Sequence, residues 1–397
     1  MTRSTDSGRR RDVVPLFLPD RTQELLLRAA LLPGAAARDC WREWRSLVDI
    51  DRLDGGSQRL LPLVYRNLRD IVSTDPDGET LRDSYLRTWH ANQMAFEAIA
   101  PVLEAFDRTG VRSMLLKGAA LAVRHYGDYG LRPMEDCDVM VPAHQAGTAA
   151  GVLKGLGWMA SPPREPSQFT SATQWFAHSW HFRRGADQQL DLHWHLSPEC
   201  CNVAADADFW GGAVPCTVKG HEVWLLAPCD QLVHVCVHGA ECFVAPSLRW
   251  VADAMVILNA EAPALDWDRL IWLAGKHRLV RSLELTLGYL HDRFEAPVPE
   301  RVLHAIRSLP TTRIEDLEFR IRNRAPAAAG TLPGLLRWWG RVWWRHVEAV
   351  GLAAAIGGLP AMFQETWGLR SAWSLPGQAA RRVWRTIRNT RLARRSS

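Results

Sequence analysis

No Cys-x-x-Cys pair occurs among the eight cysteines (40, 137, 200, 201, 216, 229, 236 and 242), which argues against the usual zinc and dithiol motifs and points to reduced thiols. No apolar run reaches the ~18 residues of a membrane-spanning helix. The nearest, residues 349–363, is interrupted by Gly357, Gly358 and Pro360. The N-terminus is polar and Arg-rich and lacks the apolar stretch of a secretory leader, so a cytoplasmic location is expected. No repeat of clear period is present. A general excess of positive charge is missing too. Net charge is +5, but seven of the 48 basic residues are arginines between 381 and 395, and the remaining 41 nearly balance the 43 acids. Such a body is not a whole-surface nucleic-acid binder.

What is present is a folded composition, 47% hydrophobic and 23% charged, over 397 residues, enough for two or three domains. Residues 1–14 read as a disordered lead and 15–83 as an N-terminal helical region, with Leu25, Trp41, Trp44, Leu47 and Leu60–Leu68 near helical spacing. Asp75-Pro-Asp77-Gly is turn chemistry. An α/β core is expected over 84–227. It opens with a helix Ser84–Arg108 that Pro101 should kink or break, then a strand Val111–Leu116, a helix Gly118–Tyr126 and a strand Asp136–Val141. A further helix ends at Gly157, period-two segments cover Phe176–Arg183 and Leu190–Leu196, and a hairpin turns at Lys219-Gly220. Residues 228–325 read as a second helical domain, and 326–397 as a Trp/Arg-rich segment with a basic tail.

The chemistry concentrates between Met114 and Val141. Five Asp-x-Asp pairs occur in the chain, so spacing alone selects none: Asp49/Asp51, Asp75/Asp77, Asp136/Asp138, Asp206/Asp208 and Asp266/Asp268. Asp266 suits a helix N-cap. Asp49/Asp51 and Asp206/Asp208 fall in a polar connector and an expected loop. Only Asp136/Asp138 follows a strand, turn and helix. On a strand those two acids share a face about 7 Å apart, with Met140, while Cys137, Val139 and Val141 face a core. Two such carboxylates suit a hard divalent ion, Mg²⁺ being the usual one beside phosphates. The rival assignment is a capping or solvated pair.

In Leu190-Asp-Leu-His-Trp-His-Leu196 the leucines and Trp194 take one face and Asp191, His193 and His195 the other. A lone acid in so apolar a strand is best explained as a third carboxylate completing a metal site, against a buried acid paired with an Arg. His178, His181, His193 and His195 also allow a zinc reading, which Asp191 makes unnecessary. His238, Arg249 and Asp253 read first as a buried polar network joining helices, with active-site wall as the alternative.

These residues together resemble the uncharacterised nucleotidyltransferase family of the polymerase-beta-like nucleotidyltransferase superfamily. The resemblance rests on Leu116-Lys117-Gly118, Arg132 ahead of Asp136-x-Asp138, Asp191-Leu-His-Trp194, and His238 with Arg249-Trp-x-x-Asp253, and runs over roughly residues 20–300. It implies a mixed-sheet α/β (α+β) core flanked by helical domains, and transfer of a nucleoside monophosphate from an NTP such as ATP to an acceptor hydroxyl or phosphate. It implies two Mg²⁺ ions held by Asp136, Asp138 and Asp191. The Gly118 helix start would meet phosphate oxygens, with Lys117 and Arg132 balancing triphosphate charge. One departure stands out: superfamily members usually carry Gly-Ser or Gly-Gly where this chain has Gly118-Ala119.

Rival functions are a nucleotide sensor or scaffold without catalysis, and a membrane-peripheral interaction protein. The latter draws on Trp338, Trp339, Trp343 and Trp344 beside an Arg337/Arg341/Arg345 stripe, which suits an anionic membrane surface. A helix packing those tryptophans on the body is the plainer reading. The acceptor, a small molecule, an RNA or a protein group, is not encoded in any motif. Nor is the base, for which Trp175, Trp180 and Trp194 are equivalent stacking candidates.

Overall fold

The computed structural model describes residues 17–169, 171–200, 203–240 and 248–323, with parts of 340–384. The lead over 1–14, the Arg337/Arg341/Arg345 stripe and the tail beyond Trp384 lie outside the described residues.

Seven strands form one mixed sheet: β1 (Met114–Leu115), β2 (Cys137–Met140), β3 (Met159–Ala160), β4 (Ser179–Arg184), β5 (Gln188–His193), β6 (Val214–Val218) and β7 (His221–Leu225). Their order is β3-β4-β5-β2-β1-β7-β6. β2 runs parallel to β5, and β1 parallel to β7, while the other neighbours are antiparallel. The hairpin between β6 and β7 turns where the sequence pattern places it: Lys219 (φ 50°) and Gly220 (φ 84°) both adopt the left-handed conformation that a tight two-residue turn requires.

The sheet separates two cores. Leu115, Val139, Val141, Leu190, Leu192 and Trp194 pack on one side against Ile99, Val102, Leu103 and Phe106 of the helix Gly78–Thr109 and against the helix Ala146–Gly155. On the other side Met114, Leu116 and Met140 join a cluster that takes in the N-terminal helices Arg21–Leu31 and Gly34–Leu47 and the helices Pro228–Gly239, Arg249–Glu261 and Val280–Phe294. Residues from both ends of the described body therefore share one apolar interior.

Several boundaries differ from the sequence pattern. The long helix starts at Gly78, not Ser84, and continues through Pro101, whose exposed position leaves the burial of Ile99, Val102, Leu103 and Phe106 intact. That burial exceeds the ~3 kcal/mol that an internal proline costs. β1 keeps only two of the six expected residues. Phe176 ends a helix (Ser171–Phe176) and is not in a strand, and Asp206 and Asp208 lie on the helix Val203–Gly212, not in a loop. Asp266 caps its helix as expected, accepting from the Arg269 N–H at 2.9 Å. Among the described residues no helix is long and apolar enough to cross a membrane.

Candidate active site

The parallel register of β2 and β5 sets Asp138 opposite Asp191 and Met140 opposite His193. Side chains alternate along each strand, so Asp138, Asp191 and His193 emerge on the same face. Asp138 is buried and takes two close partners on one oxygen: Lys117 Nζ donates to Oδ1 at 2.6 Å, and His193 Nε2 lies 2.9 Å from it. Burial pushes the Asp138 carboxyl up, but the Lys117 and His193 contacts outweigh it and hold the group well below the usual carboxylate range. Burial likewise works against the Lys117 charge, and Asp138 more than offsets it, leaving the ammonium above its ordinary pKa.

Asp191 is set by its cross-strand neighbour on β4. His181 Nδ1 lies 2.6 Å from Asp191 Oδ1, and Arg183 Nε donates to His181 Nε2 at 3.2 Å. The Arg183 bond requires an unprotonated Nε2, so the Nδ1–H donates to Asp191 and fixes that carboxylate's orientation. Asp136 does not belong to β2; it sits in the bend just before it, half-buried. Burial first, then the charges of Asp138 and Asp191, raise its pKa to about 6. A carboxyl raised by neighbouring carboxylates marks a place where a cation would be favourable.

Oxygens of Asp138 and Asp191 and a ring nitrogen of His193 all lie within 4.8 Å of one another, a set that can hold a metal ion. Strand alternation put both His193 and His195 on the Asp191 face, and only His193 keeps that place. β5 ends at His193, so His195 leaves the strand alternation and meets Asp206 Oδ2 at 2.5 Å and the Gln174 carbonyl at 2.6 Å, away from the acids.

Beside the acids lies a cleft of roughly 620 Å³, counted to its open mouth, walled by Lys117, Gly118 and Arg132 on one side and by His234, Arg249 and Asp253 on the other. Arg132 is buried, and its forked edge grips Asp253 through Nε to Oδ1 (3.0 Å) and Nη2 to Oδ2 (2.9 Å). The Tyr126 hydroxyl donates to the same Asp253 Oδ1 at 2.8 Å. The bidentate grip expected on a phosphate is thus made on a carboxylate, and Nη1 is the part of Arg132 facing Gly118. A Cβ on Gly118 would stand 2.3 Å from Arg132 Nη1 and 2.8 Å from Met134 Cγ, so this glycine makes room for the guanidinium. Lys117, which starts the helix Lys117–Leu121, has φ 42°, a left-handed backbone that aims its side chain at Asp138.

Further residues hold the site although no local pattern marked them. Asn92 of the long helix, fully buried, donates through Nδ2 to the Tyr129 carbonyl at 2.6 Å and the Arg132 carbonyl at 2.8 Å, and so fixes the loop that carries Arg132. Arg59, from the helical region that carried no recognisable chemistry in sequence, forms an ion pair with Glu135. Arg249 donates to the Pro133 carbonyl at 2.8 Å and has no carboxylate partner among the described residues. Burial, then the Arg132 charge, lower its pKa to about 10. Arg249 and Asp253 occupy the same helical face four residues apart; they are both cleft wall and polar network, where the sequence offered these as alternatives.

No curated protein sequence matches the chain. A sequence model described as an uncharacterised nucleotidyltransferase matches residues 55–295, a span that holds the acids, the cleft and Arg59. That span exceeds half of the chain, and the chain belongs to the uncharacterised nucleotidyltransferase family.

Proposed function

We propose that the protein is a Mg²⁺-dependent nucleotidyltransferase that moves a nucleoside monophosphate from a nucleoside triphosphate to an acceptor. The carrying observation is the facing pair Asp138 and Asp191, set side by side by the β2–β5 register at the edge of a cleft with Lys117, Arg132 and Arg249 in its walls. The donor set fits a hard divalent ion: carboxylate oxygens in bonding reach, a neighbouring imidazole, and Asp136 carrying the repulsion of two further acids. Asp138 and Asp191 would hold the ion, with Asp136 and His193 completing its surroundings. When bound, it supplies Lewis-acid polarisation of the phosphoryl group and acidifies the attacking hydroxyl.

The remaining work falls to the chain itself. Arg249, half-buried and without a carboxylate partner among the described residues, offers its guanidinium to the triphosphate. Arg132, locked by Asp253, presents Nη1 from a fixed position, so no reorganisation is needed when negative charge builds on the leaving pyrophosphate. Lys117 holds Asp138 ionised and oriented. One observation favours a second reading, a triphosphate sensor without catalysis: the Lys117 ammonium already lies on Asp138 in the place a metal ion would compete for. Transfer of α-labelled nucleotide by wild type and Asp138→Asn separates the two. Loss of transfer with the fold retained supports the enzyme; metal-independent ATP binding without pyrophosphate release in wild type supports the sensor and overturns it.

Contact of the C-terminal segment with an anionic membrane surface is a separate proposal, supported by Trp373 (94% exposed) and Trp384 (66% exposed). Flotation with phosphatidylglycerol vesicles that is unaltered by Trp373→Ser/Trp384→Ser would dismiss it.

A further inference from the structure

The acids stand between two depressions. Met134, Glu135 and Asp136 line the cleft on one side and, on the other, a larger groove of roughly 1230 Å³ counted to its mouth. This outer groove runs between the long helix Gly78–Thr109 and the tip of the β4–β5 hairpin. Alternation along β5 puts Gln189 on the same face as Asp191 and His193, so the strand leads from the groove directly to the metal-binding carboxylates.

The two depressions differ in chemistry. Lys117, Arg132 and Arg249 line the cleft, whereas the outer groove has one guanidinium, Arg184, and that one is engaged. It stacks over Trp158 at 4.9 Å, donates to Gln188 Oε1 at 2.6 Å and reaches the Ala98 carbonyl at 3.3 Å. Against it stand Asp136, Asp187 and Glu135, the last already paired with Arg59. The helix wall is apolar apart from His90 at its start: Ala91, Ala95, Ala98 and Ile99, with Met94 52% exposed. The indole N–H of Trp158 is buried there without a partner among the described residues.

We propose that this groove is the acceptor site, and that the acceptor is a neutral or cationic, largely apolar small molecule presenting a hydroxyl to the acids. The proposal rests on the nucleotidyl-transfer reading above. A metal-bound triphosphate in the cleft leaves the opposite side of Asp136 for the nucleophile, the side an in-line displacement requires. The acceptor oxygen forms the new bond to the α-phosphorus, the bond from that phosphorus to the bridging oxygen breaks, pyrophosphate leaves with the electron pair, and the hydroxyl proton passes to solvent. An RNA end or a sugar phosphate would bring anionic charge to a groove whose one guanidinium is engaged and whose lining, His90 apart, is otherwise acidic or uncharged. An apolar body instead covers Met94 and the alanines.

Saturation-transfer NMR with three probes tests the inference: 4-phenylbutan-1-ol, 4-phenylbutylamine and 4-phenylbutyl phosphate, each with wild type, Ala91→Trp and Ala186→Trp. Both substituted alanines are exposed, on opposite walls of the groove, so a tryptophan fills the space without entering either core. Saturable binding of the alcohol and amine is expected, with the phosphate ester weaker by at least roughly tenfold, and most of the signal lost in each variant. The inference is overturned if the phosphate ester binds as well as the alcohol, if both tryptophan variants bind like wild type, or if none of the probes binds saturably. Calorimetry of Mg²⁺ and ATP on the same wild-type sample keeps the two readings apart. Probe binding without triphosphate binding sinks the nucleotidyl-transfer reading, whereas triphosphate binding without probe binding sinks the acceptor assignment alone.

Discussion

Asp253 ties the α/β sheet to the helical body at the cleft, and removing its carboxylate has a calculable consequence. The side chain is 5% exposed and accepts from Arg132 Nε and Nη2 and from the Tyr126 hydroxyl. Asp253→Ala leaves the Arg132 guanidinium buried without a counter-charge, a defect that costs about 3–5 kcal/mol. At about 2 °C per kcal/mol for a body of this size, the melting temperature falls by roughly 6–10 °C. Tyr126→Phe removes only one donor from an acceptor that Arg132 still grips, so its loss is about 1.5 kcal/mol. Arg132→Met/Asp253→Leu, which deletes both charges, recovers most of the stability lost by Asp253→Ala. Urea titration followed by circular dichroism measures all three. A cost below about 1 kcal/mol for Asp253→Ala, or a double variant no more stable than the single one, would refute the view that a buried, fully paired charge holds this wall of the cleft.

Other expectations are more local. Gly118→Ala presses a methyl group against an Arg132 that Asp253 prevents from yielding, so a loss of about 1–3 kcal/mol and weaker ATP binding by calorimetry are expected. Asn92→Ala frees two buried carbonyls of the Arg132 loop and costs about 1–3 kcal/mol in the same urea assay. The Asp136 carboxyl, raised to about 6 from 3.8, holds its proton more tightly in the folded than in the unfolded state. Its contribution to the stability of the ion-free protein is therefore present at low pH and is lost as pH rises from 3.8 through about 6. Asp136→Asn should remove that slope from a plot of melting temperature against pH. Mg²⁺ must displace the same proton, so its apparent affinity should fall as pH drops below about 6 in wild type, read by titration calorimetry.

Much of the site was visible in the chain because strand alternation is a local rule. The pattern around 136–141 and 190–196 placed Asp138 and Asp191 on core-opposed faces, and β2–β5 pairing brings them together. Alternation does not report where a strand stops. Asp136 falls before β2 and His195 after β5, so each was assigned a strand direction it does not have. The partners that fix the cleft were illegible for a different reason. Asp253 lies 121 residues from Arg132, and Asn92 lies 40 residues before it on a helix whose periodicity describes only its apolar face. Arg59 looked like any surface arginine of a helical region. Contacts of that sequence separation are set by how two cores meet across a sheet, and no window of the sequence contains them.

The charges of the cleft also fix the order in which ligands can enter. Arg132 and Asp253 neutralise one another, as do Arg59 and Glu135, so neither pair draws a ligand in. What remains is Lys117 and Arg249 against Asp136, Asp138 and Asp191, a local excess of one negative charge once all three acids are ionised. A free triphosphate, itself highly anionic, is repelled by that balance, and a single divalent ion reverses its sign. ATP is therefore expected to bind as its Mg²⁺ complex, with affinity lower by at least about tenfold in EDTA, a difference of about 1.4 kcal/mol. Lys117 sharpens the expectation: Lys117→Met leaves the acids with one fewer neighbour of opposite charge, which should strengthen metal binding while weakening ATP binding. Parallel titrations of Mg²⁺ and ATP against this variant decide the point. Metal and nucleotide affinities that fall together would mean that Lys117 acts as scaffold for Asp138, not as a charge in competition with the ion.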